Sequence, residues 1–346
     1  MKAILFCNLP YAFSILKPLA NELTKRKFKY IWYIPNNLLN IFEYKDSLYT
    51  SSIKELEKFN SDMIFVPGND VPWYLRGVKV QIFHGLAGEK KGHFRIRDYF
   101  DLYLTQGPYF TNKFQKLAKK HNNFKVVETG WCKLDKLYEK DTDFQKQREN
   151  LLSTSKSEKI ILYAPTFSPS LTSAKELLEG ICSISKDKKY LVVVKFHDKM
   201  DNDLQNLYRQ QQNEKLIILN DKDITNALKY SDLLISDTSS VVYEFLLLNK
   251  PVITLNTHSS NIVWENIKNP DELKQTVDTI LFQNDNFKNK REKIIKLYHP
   301  YSDGKSSQRV IDAVLEYIQK YQVPTKRSVP LLRKIKMIKK YGLFRW

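Results

Sequence analysis

The sequence has only three cysteines in 346 residues, and they stand far apart. Cys7, Cys132 and Cys182 form no CxxC pair, the spacing that zinc knuckles and many redox sites need. An odd, scattered set does not build a disulfide framework either. We therefore expect reduced thiols in a cytosolic protein.

Long hydrophobic runs are also missing. No stretch approaches the roughly 18 apolar residues that cross a bilayer. The N-terminal run MKAILFC begins as a signal peptide would, but Asn8 and Pro10 interrupt it and no small-residue cleavage site follows. We expect residues 2–7 to form a first buried strand, and no segment to span a membrane.

Negative charge is scarce, because 38 Asp and Glu stand against 56 Lys and Arg, a net charge of +18. This balance indicates an acidic partner or surface: nucleic acid, anionic lipid or a phosphate-rich substrate. Residues 324–346 hold eight basic residues and no acidic one, and 18 minus 8 leaves +10 for the rest of the chain. That remainder shows no signature of a nucleic-acid-binding module, so we expect no nucleic-acid partner.

The sequence does contain two series of short apolar runs separated by amphipathic or polar segments. The first series occupies residues 2–7, 30–34, 63–66, 78–83, 101–105 and 125–128. The second occupies residues 159–163, 190–195, 216–219, 233–236 and 251–255. Helices are predicted at residues 15–26, 224–230, 241–249 and 306–322. Strands that alternate with helices are typical of parallel, doubly wound sheets.

This pattern predicts an α/β protein with two Rossmann-like, doubly wound domains that face a cleft, the GT-B-like layout. We expect a first domain at residues 1–140, a linker or surface helix at 141–158, and a second domain at 159–305. A closing helix at 306–322 and a basic tail at 323–346 would follow. Ligands bind such sheets beyond the carboxyl ends of the strands, so residues that directly follow strands are the candidates for chemistry.

Two histidines follow predicted strands. His84, with Gly85 after it, ends the run at 78–83, and His197 ends the run at 190–195. Histidine titrates near neutral pH and suits general-base catalysis. One histidine at the strand ends of each domain could meet the other across a single cleft. Taken alone, each is more simply read as the end of a strand beside a solvated loop.

A run of small polar residues, Asp237–Ser240, stands between a predicted strand and a predicted helix. Such residues cap helices, which is the simplest interpretation. A helix N-terminus with free N–H groups also binds anions, so the run is a candidate phosphate site. Thr166 would line the cleft floor, and Asp303 is either a turn residue or a ligand for a hydroxyl group.

Taken together, these segments resemble the CDP-glycerol glycerophosphotransferase family of teichoic-acid primases and polymerases. They occur in the family's order over about residues 80–315, and six motifs in register are fairly specific. The segments are His84-Gly85, Glu128-Thr129-Gly130 with Asp135, Tyr163-Ala164-Pro165-Thr166, Lys195-Phe196-His197, Ser236-Asp237-Thr238-Ser239-Ser240 with Glu244 and Lys250-Pro251, and Asp303-Gly304 with Arg309.

Four departures from the family pattern bear on the donor. Residues 86–90 replace the family's Thr-Pro-Leu-Lys run, and its Trp before the His-Gly pair is absent. Residues 131–135 replace its Pro-Arg-Asn/Asp, and Asp198 replaces the proline after Lys-Phe-His. Glycerol phosphate, ribitol phosphate and other polyol phosphates therefore all stay open as the transferred group.

The resemblance implies transfer of a polyol phosphate, most simply glycerol phosphate, from a CDP-activated donor to a hydroxyl of a lipid-linked or saccharide acceptor, with release of CMP. Residues 1–140 would bind the acceptor and residues 159–305 the donor nucleotide. His84 would be the general base, and His197 would bind or neutralise the donor phosphate. Other implied donor contacts are Thr166, Asp237, Thr238, Ser239, Ser240 and Glu244. Asp303 and Arg309 would contact a hydroxyl of donor or acceptor, and no cofactor or tightly held metal is implied.

The basic tail is predicted to bind an anionic membrane surface at the inner face of a bacterial cell membrane. If it is helical from about residue 331, one side is apolar and the other basic, which suits a lipid interface. The apolar positions are Leu331, Leu332, Ile335 and Ile338, with Leu343, Phe344 and Trp346 beyond them. A disordered basic tail is the alternative.

Two other functions fit the same pattern. A nucleotide-sugar glycosyltransferase or sugar epimerase shares the two-domain layout and would release or hold UDP or GDP rather than CMP. A non-catalytic relative acting as a scaffold is the other, and the presence of both His84 and His197 argues against it.

Overall fold

The computed structural model describes residues 1–86, 93–139, 143–220, 224–258 and 262–342. They form two compact units, of which unit 1 comprises Met1–Tyr138 and Lys296–Trp346, and unit 2 comprises Glu139–Ile295. Each unit contains one parallel sheet flanked by helices. The predicted pair of doubly wound α/β domains is confirmed.

The central strands of the sheet of unit 1 are almost fully buried, whereas its outer strands are partly exposed. Its strands are β1 (Lys2–Phe6), β2 (Lys29–Tyr33), β3 (Tyr49–Thr50), β4 (Met63–Val66), β5 (Val78–Gln81), β6 (Leu102–Thr105) and β7 (Lys125–Glu128). They lie in the order β3-β2-β1-β4-β5-β6-β7, with every neighbouring pair parallel. The strand order reverses between β1 and β4, and the carboxyl ends at such a switch point are where these sheets bind ligands.

Unit 2 repeats this construction. Its strands are β8 (Lys159–Tyr163), β9 (Tyr190–Val194), β10 (Leu216–Ile218), β11 (Leu233–Ser236), β12 (Val252–Leu255) and β13 (Glu265–Ile267). They lie in the order β10-β9-β8-β11-β12-β13, again all parallel, with the reversal between β8 and β11.

Helices connect the strands and cover both sheets. In chain order the described helices are α1 (Ala12–Lys25), α2 (Ile53–Phe59), α3 (Pro108–His121), α4 (Asp135–Tyr138), α5 (Asp143–Ser155), α6 (Leu178–Lys186), α7 (Asn202–Arg209), α8 (Thr225–Tyr230), α9 (Val241–Leu246), α10 (Leu273–Phe282), α11 (Lys288–Tyr298), α12 (Ser306–Tyr321) and α13 (Leu331–Tyr341). Short 3-10 turns occupy Asn36–Ile41, Cys132–Leu134 and Pro270–Glu272. Helix α1 shows why they pack, since its Ile15, Leu16, Leu19 and Leu23 recur on one face and are buried.

The predicted strands agree with the structure to within about two residues, because each is an apolar run bounded by polar positions. Strands β3 and β13 were not predicted. They have two and three residues and lie at the outer edges of their sheets. The predicted linker at 141–158 contains α5, which lies in unit 2 and is held by the Arg148 ion pair to Asp232 at 3.0 Å.

After unit 2 the chain returns to unit 1. The sequence assigned residues 296–305 to the second domain, whereas in the structure they belong to unit 1 together with α12 and α13. Helix α12 packs against α1, and Arg26 of the α1 end pairs with Asp312 at 2.6 Å. The predicted closing helix is therefore part of the fold of unit 1.

Helix α13, in the predicted basic tail, has one buried and one exposed side. Met337 and Tyr341 are buried in the core of unit 1, while Leu331 and Leu332 are 71% and 82% exposed and Ile335 is 42% exposed. Two ion pairs also attach the helix to the rest of unit 1. They join Arg333 to Asp98 at 3.2 Å and Lys340 to Asp70 at 2.9 Å. Leu343, Phe344 and Trp346 lie outside the described residues.

Candidate functional site

His84 lies just beyond strand β5, at the carboxyl edge of the sheet of unit 1. The residue before it, Phe83, has a φ of +58°, a left-handed conformation that costs a bulky residue about 1–2 kcal/mol. Buried contacts hold it there, because its ring stacks on His93 with centroids 5.3 Å apart and packs against Phe114 at 5.0 Å. His84 itself is exposed.

Two neighbours hold the imidazole of His84. Its Nδ1 lies 3.1 Å from the carbonyl oxygen of Pro67, which follows β4. The ring of Tyr11, which follows β1, stacks on it with centroids 5.0 Å apart and planes at 28°. Strands β1, β4 and β5 are adjacent, so three successive strand ends build this site at the switch point of the sheet. The catalytic role of His84 stays a prediction.

His197 lies at the carboxyl edge of the sheet of unit 2, just beyond strand β9. Its Nδ1 accepts the backbone N–H of Lys199 at 3.1 Å, and the ring of Phe167, which follows β8, lies 4.4 Å away between centroids. Burial lowers the pKa of His197 below its ordinary value, and the negative charge of Asp198 opposes this in part. The imidazole is therefore neutral at pH 7.

Asp237 directly follows strand β11. Its carboxylate accepts hydrogen bonds from backbone and side-chain donors of its own unit. It accepts the N–H of Thr166 at 2.9 Å, and the N–H and hydroxyl of Ser173 at 2.9 and 3.0 Å. It is 1% exposed. Burial raises the pKa of this carboxyl, and these hydrogen bonds oppose the rise. Asp237 thus shapes the loop between β8 and α6, and its direct contact with a donor stays a prediction.

The hydroxyl residues after Asp237 lead into α9, which has only six residues. Thr238 lies 3.4 Å from the Thr257 hydroxyl, and Ser240 is the N-cap without a side-chain capping bond. Thr238 and Ser240 are exposed and Ser239 is half-buried. Glu244 lies half-buried inside α9. Because α9 is short, its helix dipole is small. An anion at this edge of the sheet would therefore be bound mainly by the hydroxyl groups.

A second group of motif residues lies in unit 1. Its members form hydrogen bonds and ion pairs with the chain that returns to this unit after residue 295. Asp135 accepts the N–H groups of Ser306 and Ser307 at 2.7 Å each, which caps α12. Arg309 donates to the carbonyl of Thr129 at 2.8 Å and forms an ion pair with Asp303 at 2.8 Å. The structure thus brings Asp303 and Arg309 together, and contact of either with substrate stays a prediction.

Gly130, in the segment Glu128-Thr129-Gly130, lies too close to the returning chain to carry a side chain. Its φ is +81°, and a Cβ there would lie 2.5 Å from the Ser306 hydroxyl and 3.2 Å from Nε2 of His299. Next to it, the backbone N–H of Trp131 donates to that Nε2 at 3.0 Å. A side chain at Gly130 would push the returning chain away.

Two aromatic residues near the site were not predicted. The ring of Tyr11 stacks on His84 and that of Phe167 lies tilted against His197. Tyr11 follows β1, which is two strands from β5, and Phe167 follows β8, which is next to β9. Aromatic residues four positions beyond the ends of predicted strands were the available signal. Lys250, part of the family motif, lies before β12 at the amino edge of the sheet and away from the site. It donates to the carbonyls of residues 228, 229 and 231 and so caps the end of α8.

Among the described residues no group of three or more His, Cys, Asp or Glu side chains is placed to hold a metal ion. Within the same part of the chain, no helix has both the length and the apolar character that crossing a bilayer requires.

Known proteins resemble this chain in both sequence and fold. It is 26% identical over 265 residues to the teichoic acid ribitol-phosphate polymerase TarK of Staphylococcus aureus, covering 69% of this chain and 50% of that protein. It is 38% identical over 98 residues to a teichoic acid glycerol-phosphate primase of Bacillus spizizenii, covering 28% and 25%. The chain thus spans half or less of the length of these relatives.

Two solved structures share the fold. The wall teichoic acid polymerase TagF superposes with a TM-score of 0.65 at 18% identity, over 92% of this chain and 89% of that chain. A putative UDP-N-acetylglucosamine 2-epimerase from Listeria monocytogenes superposes with a TM-score of 0.66 at 15% identity, over 95% of this chain and 99% of that chain. At these identities the likeness shows the fold alone, which is GT-B-like.

The family to which the chain belongs is shown by its sequence. The model of the CDP-glycerol:poly(glycerophosphate) glycerophosphotransferase family matches residues 77–261, more than half of the chain. That range contains both His84 and His197, the loop held by Asp237 and the hydroxyl run that leads into α9. The chain therefore belongs to the CDP-glycerol:poly(glycerophosphate) glycerophosphotransferase family.

Proposed function

We propose that this protein transfers a polyol phosphate, most simply glycerol phosphate, from a CDP-activated donor to a hydroxyl group of a lipid-linked or saccharide acceptor. The product would extend a teichoic-acid-like or capsular polymer. Family membership supports the reaction class. The observation that carries the proposal is the placement of two exposed histidines, one at the carboxyl edge of each parallel sheet.

In the proposed reaction, the acceptor oxygen attacks the donor phosphorus distal to cytidine. The bond from that phosphorus to the bridging oxygen breaks, and CMP leaves with the bridging oxygen. His84 takes the proton of the acceptor hydroxyl, and His197 donates a hydrogen bond to a donor phosphate oxygen. Such transfers need mainly positioning and charge stabilisation, which both residues could supply without a cofactor.

The hydroxyl residues of unit 2 complete the proposed donor site. Thr238, Ser239 and Ser240 would bind the pyrophosphate oxygens, and Glu244 would accept from a ribose or polyol hydroxyl. Thr166 would contact the donor. The carboxylate of Asp237 would hold it in position, because it accepts the backbone N–H of Thr166. Asp303 and Arg309 form an ion pair in unit 1, and their exposed edges would contact a hydroxyl of the donor or the acceptor.

Donor binding tests this proposal directly. Isothermal titration with CDP-glycerol, CDP-ribitol, CMP and UDP-GlcNAc would be run on the wild type and on His197→Ala. We expect selective binding of one CDP-alcohol and weaker binding by the variant. His121→Ala removes a histidine of α3 that pairs with Asp98 and is the matched control. Equal affinities of wild type and His197→Ala would remove His197 from the donor site.

A nucleotide-sugar enzyme is the second candidate, favoured by the fold shared with the epimerase. It predicts tighter binding of UDP-GlcNAc than of either CDP-alcohol in the same titration. That outcome would replace the glycerophosphotransferase proposal.

We further propose that the exposed side of α13 binds an anionic membrane surface at the inner face of the cell membrane, where a lipid-linked acceptor would lie. Leu331, Leu332 and Ile335 are exposed there, and the helix also carries Lys334, Lys336 and Lys339. Apolar and basic groups on one helix suit the interface of an anionic leaflet.

Substitution rather than deletion tests the membrane surface, because Met337 and Tyr341 of the same helix belong to the core. Changing Leu331, Leu332 and Ile335 together to serine should abolish co-sedimentation with phosphatidylglycerol vesicles. Leu207→Ser, at a 40% exposed leucine of unit 2, is the control. Unchanged sedimentation of the triple variant would refute the role of α13.

A further inference from the structure

The two candidate histidines have opposite hydrogen bonds at the same ring nitrogen. Nδ1 of His84 lies 3.1 Å from the Pro67 carbonyl oxygen. A carbonyl oxygen only accepts, so this Nδ1 carries the proton. Nδ1 of His197 lies 3.1 Å from the backbone nitrogen of Lys199, whose N–H can only donate. That Nδ1 therefore carries a lone pair.

A neutral imidazole has one proton to place, so each backbone contact decides what the other nitrogen offers. Nε2 of His84 is left with a lone pair and can accept a proton. Nε2 of His197 is left with an N–H and can donate a hydrogen bond. Both imidazoles are exposed, so these are the atoms that a substrate would meet.

One hydrogen bond fixes a ring nitrogen but leaves the ring plane free to swing about that contact. In each unit an aromatic ring restricts this motion. Tyr11 stacks on His84 with planes at 28°, and Phe167 lies against His197 with planes at 35°. Tyr11 and Phe167 are 39% and 38% exposed, so core packing does not explain their position. Aromatic ring pairs contribute about 0.5–1.5 kcal/mol each.

We propose that Tyr11 and Phe167 are positioning residues which, with the backbone at Pro67 and Lys199, hold His84 and His197 in opposite tautomers. This inference rests on the proposed function for its catalytic meaning. His84 is then set to take the proton of the acceptor hydroxyl, and the imidazolium that forms keeps its Nδ1–H bond to Pro67. His197 keeps its proton throughout and donates to a phosphate oxygen.

The tautomers can be read without any substrate. In 15N-histidine-labelled protein at pH 8, where an ordinary imidazole is neutral, the ring nitrogen shifts should show Nδ1–H for His84 and Nε2–H for His197. His84→Gln and His197→Gln assign the signals. The same tautomer for both residues would overturn the inference, whichever donor the protein binds.

Kinetics then test the two aromatic residues. Tyr11→Leu should lower kcat about tenfold, a part of the roughly 10²–10⁴-fold that a general base contributes, with the Kd for CDP-glycerol unchanged. Phe167→Leu should raise that Kd several-fold. Tyr11→Phe and Phe167→Tyr keep a ring and should restore wild-type values.

Matched controls are Tyr321→Leu in unit 1 and Phe282→Leu in unit 2, both at side chains 45% exposed, and both should leave kcat and Kd unchanged. Wild-type kcat in Tyr11→Leu together with an unchanged His84 tautomer would refute the positioning role. Failure to bind any CDP-alcohol would instead count against the proposed function, since the tautomer signals do not depend on it.

Discussion

The buried imidazole of His299 should make the stability of unit 1 depend on pH. His299 is 1% exposed, and its Nε2 accepts the N–H of Trp131. Burial, and next the positive charge of Arg309, lower its pKa from 6.5 to about 4. In the unfolded chain the residue binds a proton below pH 6.5, whereas in the folded chain it stays neutral down to about pH 4. Acid therefore favours the unfolded state.

The size of this effect follows from the shift in pKa. Each pKa unit corresponds to about 1.4 kcal/mol, so a fall from 6.5 to about 4 removes about 3 kcal/mol of unfolding free energy as the pH drops through that window. The stabilising contribution is fully present above pH 6.5. For a protein whose net stability is about 5–15 kcal/mol, this is a substantial loss.

Urea unfolding at pH 7.5, 6.0 and 4.5 measures it, with wild type compared with His299→Gln. Glutamine can still accept from the Trp131 N–H but cannot titrate. We expect the variant to lose about 2.5 kcal/mol less than the wild type between the two extremes, because pH 4.5 lies just above the folded-state pKa. His93, whose pKa burial also lowers to about 4, titrates in both proteins and cancels in the difference. Equal losses in the two proteins would refute the assignment.

Other predictions concern residues that hold loops in place. Asp135→Asn should lower the unfolding free energy by about 1–3 kcal/mol in urea unfolding, because one of its two buried N–H partners at α12 is left unsatisfied. Gly130→Ala should lower the melting temperature clearly, since its φ is +81° and a Cβ would strike the Ser306 hydroxyl, whereas Gly85→Ala, with nothing within 4 Å, should not. Asp237→Asn should weaken CDP-glycerol binding and stability together, measured by titration and thermal unfolding, because the loop that it holds is released.

The sequence was sufficient for the strands and for the edge at which His84 and His197 lie. Continuous apolar runs in parallel sheets are buried on both faces, and their carboxyl ends share one edge. It was not sufficient for the return of the chain at residue 296. Apolar periodicity in α12 shows that one face is buried but not which sheet it covers, so the helix was placed as a separate closing element.

The aromatic rings beside the two histidines were missed for a different reason. Tyr11 and His84 are 73 residues apart, and Phe167 and His197 are 30 apart. Their contact depends on strand order, which puts β1, β4 and β5 side by side in one sheet and β8 next to β9 in the other. A linear pattern does not contain that order, so each ring could be read only as one more aromatic residue after a strand.

The motif residues separate into two physical classes, and the distinction bears on how variants should be interpreted. Asp135 and Asp237 are buried, and their oxygens accept from donors of their own unit. Their loss should lower stability and activity together, because the backbone they hold would shift. His84 and His197 are exposed and bonded at Nδ1 alone among the described contacts. Their loss should lower activity at nearly constant stability, so plotting activity against melting temperature for all four would separate residues that shape the site from residues that meet the substrate.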